Sequence, residues 1–125
     1  MDTDRRYSDR IAVTCDVVFA GSGVSGEGRV LDVSLPGCLM ETPESMKVGD
    51  CLQVRLFLPD RPSPLDILLA VVRRVDRNVV GLEFIRSSPT DQVRLRRFVR
   101  AAARSEETGA CASGAVWASW SQAVN

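Results

Sequence analysis

Six side chains in the first third of the sequence suit one kind of chemistry: Arg5, Arg6 and Arg10, then Asp32, Ser34 and Gly37. Guanidinium groups are planar, permanently charged forks that grip phosphate oxygens two at a time and also lie flat against a purine. Asp32 adds an acceptor carboxylate, Ser34 a hydroxyl that both donates and accepts, and Gly37 a backbone position able to come close to another group. That combination suits a guanine nucleotide. The spacing of 32 − 10 = 22 residues between Arg10 and Asp32 is enough for a hairpin to bring the two sets together.

The R-x-x-x-R of Arg6 and Arg10, preceded by Arg5, and the D-x-S-x-x-G from Asp32 to Gly37 resemble the two ligand-binding motifs of PilZ domains, bacterial receptors for cyclic di-GMP. The resemblance covers about the first hundred residues, a length suited to one domain. Val48-Gly49-Asp50 and Gly81-Leu82-Glu83-Phe84 add weaker similarity. Pro36 fixes its own φ and steers Leu35 away from the helical region, which a tight turn accommodates.

The resemblance implies a mainly β fold, a six-stranded antiparallel PilZ-type β-barrel followed by one C-terminal α-helix. It implies that Arg6 and Arg10 hold phosphate and the O6/N7 edge of guanine, the geometry arginine uses in a DNA groove. Asp32 is then expected to accept from guanine N1–H and N2–H₂, Ser34 to contact phosphate or ribose, and Gly37 to let the strand approach without a Cβ. Arg5 resembles the extra arginine of members that take an intercalated pair of cyclic di-GMP molecules, where it stacks on a second guanine. No cofactor is implied besides this ligand, and a protein partner is expected to read the bound form. The alternative is a ligand-independent adaptor on the same fold.

Bulk properties narrow the classes. The 125 residues carry sixteen basic against sixteen acidic side chains, so no overall field draws the molecule to DNA, RNA or an anionic membrane. Lys47 is the only lysine, leaving an almost wholly arginine cationic set. A single-stranded nucleic-acid binder would also want aromatics on the barrel, yet both tryptophans, Trp117 and Trp120, fall in the last nine residues. Histidine is absent, Cys15, Cys38, Cys51 and Cys111 have no C-x-x-C spacing, and no nucleophile elbow or phosphate-cradling glycine loop is present, so neither a metal site nor an enzyme is expected. Cys15, Cys38 and Cys51 lie in or beside apolar runs and are expected to be small core residues. With no apolar leader after Met1 and no run of eighteen apolar residues, the expectation is a cytoplasmic protein with no membrane insertion and reduced thiols.

Taken in order, residues 1–9 are polar and aperiodic and predict a mobile N-terminal arm, residues 10–105 a barrel with its helix, and residues 106–125 a flexible tail. Alternation predicts strands from Ile11 to Phe19, Ser25 to Val33, Cys38 to Glu41, Cys51 to Leu58, Leu65 to Val75 and Asn78 to Ile85. Pro59 to Pro64 reads as a connection. Ser88-Pro89-Thr90-Asp91 signals a helix start with Ser88 as N-cap. Its apolar face is expected to hold Leu95, Phe98, Val99, Ala102 and Ala103, and its wet face Arg94, Arg96, Arg97, Arg100 and Arg104.

Overall fold

The fold is taken from a computed structural model, which describes residues 10–108. Alternating apolar residues produce six strands: β1 Ile11–Gly21, β2 Val24–Val33, β3 Gly37–Glu41, β4 Cys51–Leu56, β5 Leu65–Asp76 and β6 Val79–Ser87. Among the described residues one helix, α1 Pro89–Thr108, follows them. The strands pair antiparallel in the order β1-β2-β3-β6-β5-β4, and β4 pairs back onto β1 to close a barrel. Closure leaves no open sheet edge among the described strands. The six strands and the helix of the sequence reading are all present, with ends that coincide or differ by at most three residues. The β5–β6 loop, expected at Asp76-Arg77, is Arg77-Asn78, with Arg77 at φ 59° and Asp76 paired to Val79.

Period two is what fills the interior. Ile11, Val13, Cys15, Val17 and Phe19 of β1 are all buried, and they meet Val30, Val33, Met40, Leu52, Val54, Leu56, Leu65, Ile67, Val72 and Val80. Burying each Leu or Ile side chain contributes about 1.5–3 kcal/mol. Leu95, Phe98, Val99 and Ala102 of α1 join the same core, and the helix packs against β5 and β1. The Ser88 hydroxyl accepts from the Asp91 amide at 3.1 Å, the N-cap bond expected from sequence.

Two expectations are corrected. Arg94 is buried, only 4% exposed, and its guanidinium grips the Asp60 carboxylate twice, Nε to Oδ2 at 3.2 Å and Nη2 to Oδ1 at 2.7 Å. The partner lies 34 residues away in the proline-rich connection, so helical periodicity alone could not place it. Cys51 is exposed rather than a core residue, because the alternation that sends Leu52, Val54 and Leu56 inward turns Cys51 out.

Candidate ligand-binding face

The site is built where β2 ends. Strand β2 shifts register against β1 between Ala12 and Cys15, and against β3 between Val30 and Asp32. Irregularities of this kind re-aim side chains. Asp32 emerges there on the outer face, opposite Ala12, and accepts a charge-assisted hydrogen bond from Arg10 Nη1 at 2.9 Å. The hairpin thus returns the carboxylate to the arginine. Arg10 is half exposed and Asp32 largely covered, with side-chain exposures of 52% and 19%.

The turn that follows is held from within. The Ser34 amide and hydroxyl both donate to the Gly37 carbonyl, at 2.8 and 3.1 Å, and Ser34 is buried. Its first role in this structure is therefore to close the loop, and Asp-x-Ser before Pro-Gly is the chemistry of such a turn. Phe84 donates its amide to the Pro36 carbonyl at 2.7 Å, tying the loop to β6. Gly37 pairs with Glu83, and a Cβ built on it would stand 1.9 Å from the Leu82 carbonyl oxygen. What the backbone comes close to at Gly37 is β6.

Arg10, Ser34, Gly37, Leu39, Arg74 and Gly81 share one shallow cleft of about 210 Å³, which Arg73 and Glu83 also line. A larger recess of about 320 Å³ lies elsewhere, between β1, β4 and β5, and holds none of the motif residues. A third, of about 630 Å³, lies by Ser22, Pro43 and Lys47 and also lacks them; among the described residues the motif cleft combines the candidate residues with further arginines. A bulge between Val72 and Arg74 breaks the alternation of β5 and puts Arg73 and Arg74 both outside. Arg73 Nε donates to Glu83 Oε1 at 2.6 Å. Arg74 makes no ion pair with any described residue.

Beneath the face, burial pushes the Cys38 thiol far above its ordinary range, with Cys15 and Asp32 reinforcing the shift and Arg10 opposing it. The Cys15 thiol is pushed up to about 12, first by burial and then by Asp16 and Asp60. Both thiols stay protonated and inert near neutral pH. Among the described residues no group of Cys, Asp or Glu could hold a metal ion, and no helix is long and apolar enough to cross a membrane.

The structure brings Arg10, Ser34 and Gly37 into one cleft and sets Asp32 beside it, while Arg5 and Arg6 lie outside the described residues, as do Cys111, Trp117 and Trp120. Sequence reasoning missed Arg73, Arg74, Leu39 and Gly81 as members of the face. The signal was present in two adjacent arginines within an alternating strand and a lone glycine inside another, both marks of a bulge or a close approach.

Comparison with known proteins agrees with this architecture. Among the solved structures it resembles are the PilZ domain of CeSA from a cellulose-synthesizing bacterium (TM-score 0.59, 18% identity, covering 75% of this chain and 97% of that one) and the Bacillus subtilis inhibitor of motility MotI/DgrA (TM-score 0.70, 20% identity, 82% of this chain and 53% of that one). The PilZ domain of Escherichia coli YcgR, solved with c-di-GMP, is a third (TM-score 0.60, 18% identity, 85% and 97%). At such identities the likeness is one of fold, and the chain matches about half the length of MotI/DgrA. No curated protein matches it in sequence. The family model described as the PilZ domain, however, matches residues 4–101, which span the arginine cluster, the whole barrel and most of α1, and the chain therefore belongs to the PilZ domain family.

Proposed function

We propose that this protein is a receptor for cyclic di-GMP, which it binds through Arg5, Arg6, Arg10, Asp32, Ser34 and Gly37. The observation that carries the reading is the Arg10–Asp32 contact of 2.9 Å at the edge of a cleft that gathers the rest of the turn motif with Arg73 and Arg74. A guanine whose N1–H and N2–H₂ face Asp32 and whose phosphates face Arg10 replaces one ion pair with several charge-assisted bonds. Ser34 and Gly37 contribute chiefly by fixing the loop that presents Asp32. The solved complex of YcgR with c-di-GMP, a protein of the same fold, supports the choice of ligand.

Residues 1–9 carry little apolar surface and two arginines, so they gain order only when an anionic ligand supplies partners. Laid across the nucleotide, Arg5 and Arg6 add their forks, and Arg5 is placed to stack on a second, intercalated cyclic di-GMP. This ordering is the signal a protein partner reads, and by linkage such a partner tightens ligand binding in return. The function is regulatory binding rather than catalysis, and a cytoplasmic location suits a ligand of this kind.

A second reading, a ligand-independent adaptor, is favoured by one observation: Arg10 and Asp32 already satisfy each other, as do Ser34 and Gly37. Isothermal calorimetry with cyclic di-GMP separates the two. The receptor gives saturable heat with one or two ligands per chain. Absence of heat at high micromolar ligand leaves the adaptor standing, and amide relaxation that is the same for residues 3–9 with and without bound ligand removes the arm from the mechanism.

A further inference from the structure

Between β1, β4 and β5 the outer surface of the barrel is apolar where strand alternation calls for polar side chains. Val18 of β1 is 37% exposed, Leu68 of β5 46%, and Phe57, just past β4, 38%. Val18 stands opposite Arg55, and Phe57 lies two residues further along the same outward side. A bulge adds to the patch. Strand β4 pairs Leu52 with Ala70 and Val54 with Ile67, so Gln53 faces two residues, Leu68 and Leu69, and neither joins the core.

The recess of about 320 Å³ opens among these side chains, with Val18, Ala20 and Leu68 on its walls and Gln53, Arg55 and Asp66 at its rim. Pockets that bury a small ligand start at about 300 Å³. Arg55 Nε donates to Asp66 Oδ1 at 2.8 Å, a contact that uses one nitrogen of the guanidinium and one oxygen of the carboxylate. The rim therefore still offers a cation to the face of an aromatic ring and an acceptor to an N–H. Apolar walls, a cation and an acceptor together suit an indole. Because the barrel is closed, no strand edge is open beside the recess, and an occupant must bind through its side chains.

The chain carries such an occupant itself. Both tryptophans, Trp117 and Trp120, fall in the stretch from Thr108 to Asn125, which has no charged side chain in a sequence that is 26% charged. Helix α1 runs to Thr108 and packs on β5 and β1, two of the three strands that frame the recess. From Thr108 to Trp117 is 117 − 108 = 9 residues. Extended, they reach up to about 30 Å, and twice the radius of gyration of a domain of this size is roughly 26 Å. A second copy or a separate protein fits less well. Three apolar side chains, each less than half exposed, with the Arg55–Asp66 ion pair among them, fall far short of the roughly 800 Å² per partner of a stable complex. A tethered segment needs no such area, since its linker holds it at an effective concentration on the order of millimolar.

We propose that residues 109–125 dock on the outer face of β1, β4 and β5, with one indole in the recess beside Val18 and Leu68 and the other over Phe57. The chain then masks its own apolar patch from other proteins. This contact is independent of cyclic di-GMP binding, and its test uses no nucleotide.

Trp117 and Trp120 are the only tryptophans, so emission from the full chain, excited where tyrosine does not absorb, reads this segment alone. Wild type is expected to emit to the blue of N-acetyltryptophanamide and to resist acrylamide quenching at every protein concentration. Val18→Glu and Leu68→Glu should each shift the emission to the red and restore quenching, with the melting temperature of the barrel kept because both side chains lie on the surface. Ile85→Glu, at an exposed apolar residue between β6 and α1, should change neither. Val18 and Leu68 methyl resonances should lie upfield under the indole ring current and lose that shift in Trp117→Ala/Trp120→Ala. Solvent-like emission in wild type, unchanged emission in both glutamate variants, or methyls indifferent to the tryptophans would overturn the proposal. A blue shift that fades on dilution would overturn it as well, assigning the face to a second copy. If a glutamate variant fails to fold, the methyl comparison still decides the matter, because it leaves the barrel sequence untouched.

Discussion

Replacing Gly37 with alanine separates the structural work of the D-x-S-x-x-G turn from its work on a ligand. The added methyl would sit 1.9 Å from the Leu82 carbonyl oxygen, 3.0 Å from the Leu82 carbonyl carbon and 3.2 Å from Glu83 Cα, all backbone atoms that no rotamer change can clear. Reaching ordinary contact requires β3 and β6 to part by more than 1 Å at this rung. The bonds at risk are the Phe84 amide to Pro36, 2.7 Å, and the Ser34 amide and hydroxyl to Gly37, 2.8 and 3.1 Å. At about 1 kcal/mol net for each, their loss costs roughly 3 kcal/mol. For a domain of this size that lowers the melting temperature by roughly 10–15 °C. Urea and thermal unfolding of Gly37→Ala beside Gly81→Ala provide the assay, with Gly81→Ala expected near wild type. If Gly37→Ala melts within about 2 °C of wild type yet loses ligand, the glycine is kept for the nucleotide and the packing argument fails.

Three further outcomes follow from the same geometry. Arg10→Ala should leave stability within about 1 kcal/mol, because its ion pair is half exposed, and should cost about 1.5–3 kcal/mol of cyclic di-GMP binding by calorimetry; a large fall in melting temperature would make Arg10 a structural residue instead. Arg94→Ala should destabilise by about 2–3 kcal/mol in urea, since it strands Asp60 with no counter-charge at a largely covered site, and Arg94→Met should recover little of that because it leaves Asp60 equally unpaired; near-complete rescue by methionine would argue for packing of the stem over the ion pair. Raised thiol pKa values also fix a pH dependence: Cys15 rises from an ordinary 9.0 to about 12, so the stability it contributes is whole below pH 9 and is lost as pH climbs toward 12. The slope is about 1.4 kcal/mol per pH unit for each buried thiol. Urea midpoints across that window should fall in wild type and fall less in a Cys15→Ala/Cys38→Ala variant.

Strand positions were legible because β1 and β4 alternate cleanly, so one-sided burial writes itself into period two. The helix start was legible for a local reason as well, in the Ser88 cap and the proline after it. Arg94 was not, because its partner Asp60 belongs to a loop that helical spacing says nothing about. Cys51 could have been placed correctly, since the rule that buries Leu52 exposes its neighbour. On the candidate face, Arg10 and Asp32 were legible as a pair from motif and hairpin length. The turn bonds of Ser34 to Gly37 are local chemistry that Asp-x-Ser before Pro-Gly announces, whereas the contact of Gly37 with Leu82 depends on β6, forty-odd residues later, and only the closed barrel reveals it. Arg74 escaped because a bulge, invisible to strict alternation, decides which of two adjacent arginines takes the rung of Gly81.

The central claim is that cyclic di-GMP binds on the face running from Arg10 and Asp32 to Arg74. A backbone amide NMR titration of the full chain with cyclic di-GMP tests it most directly. The account predicts saturable shifts concentrated at Arg10, Asp32, the turn from Ser34 to Gly37, Leu39, Arg74 and Gly81, with the opposite face around Val18, Arg55 and Leu68 unmoved. Shifts centred on that opposite face, or none at saturating ligand, would contradict it.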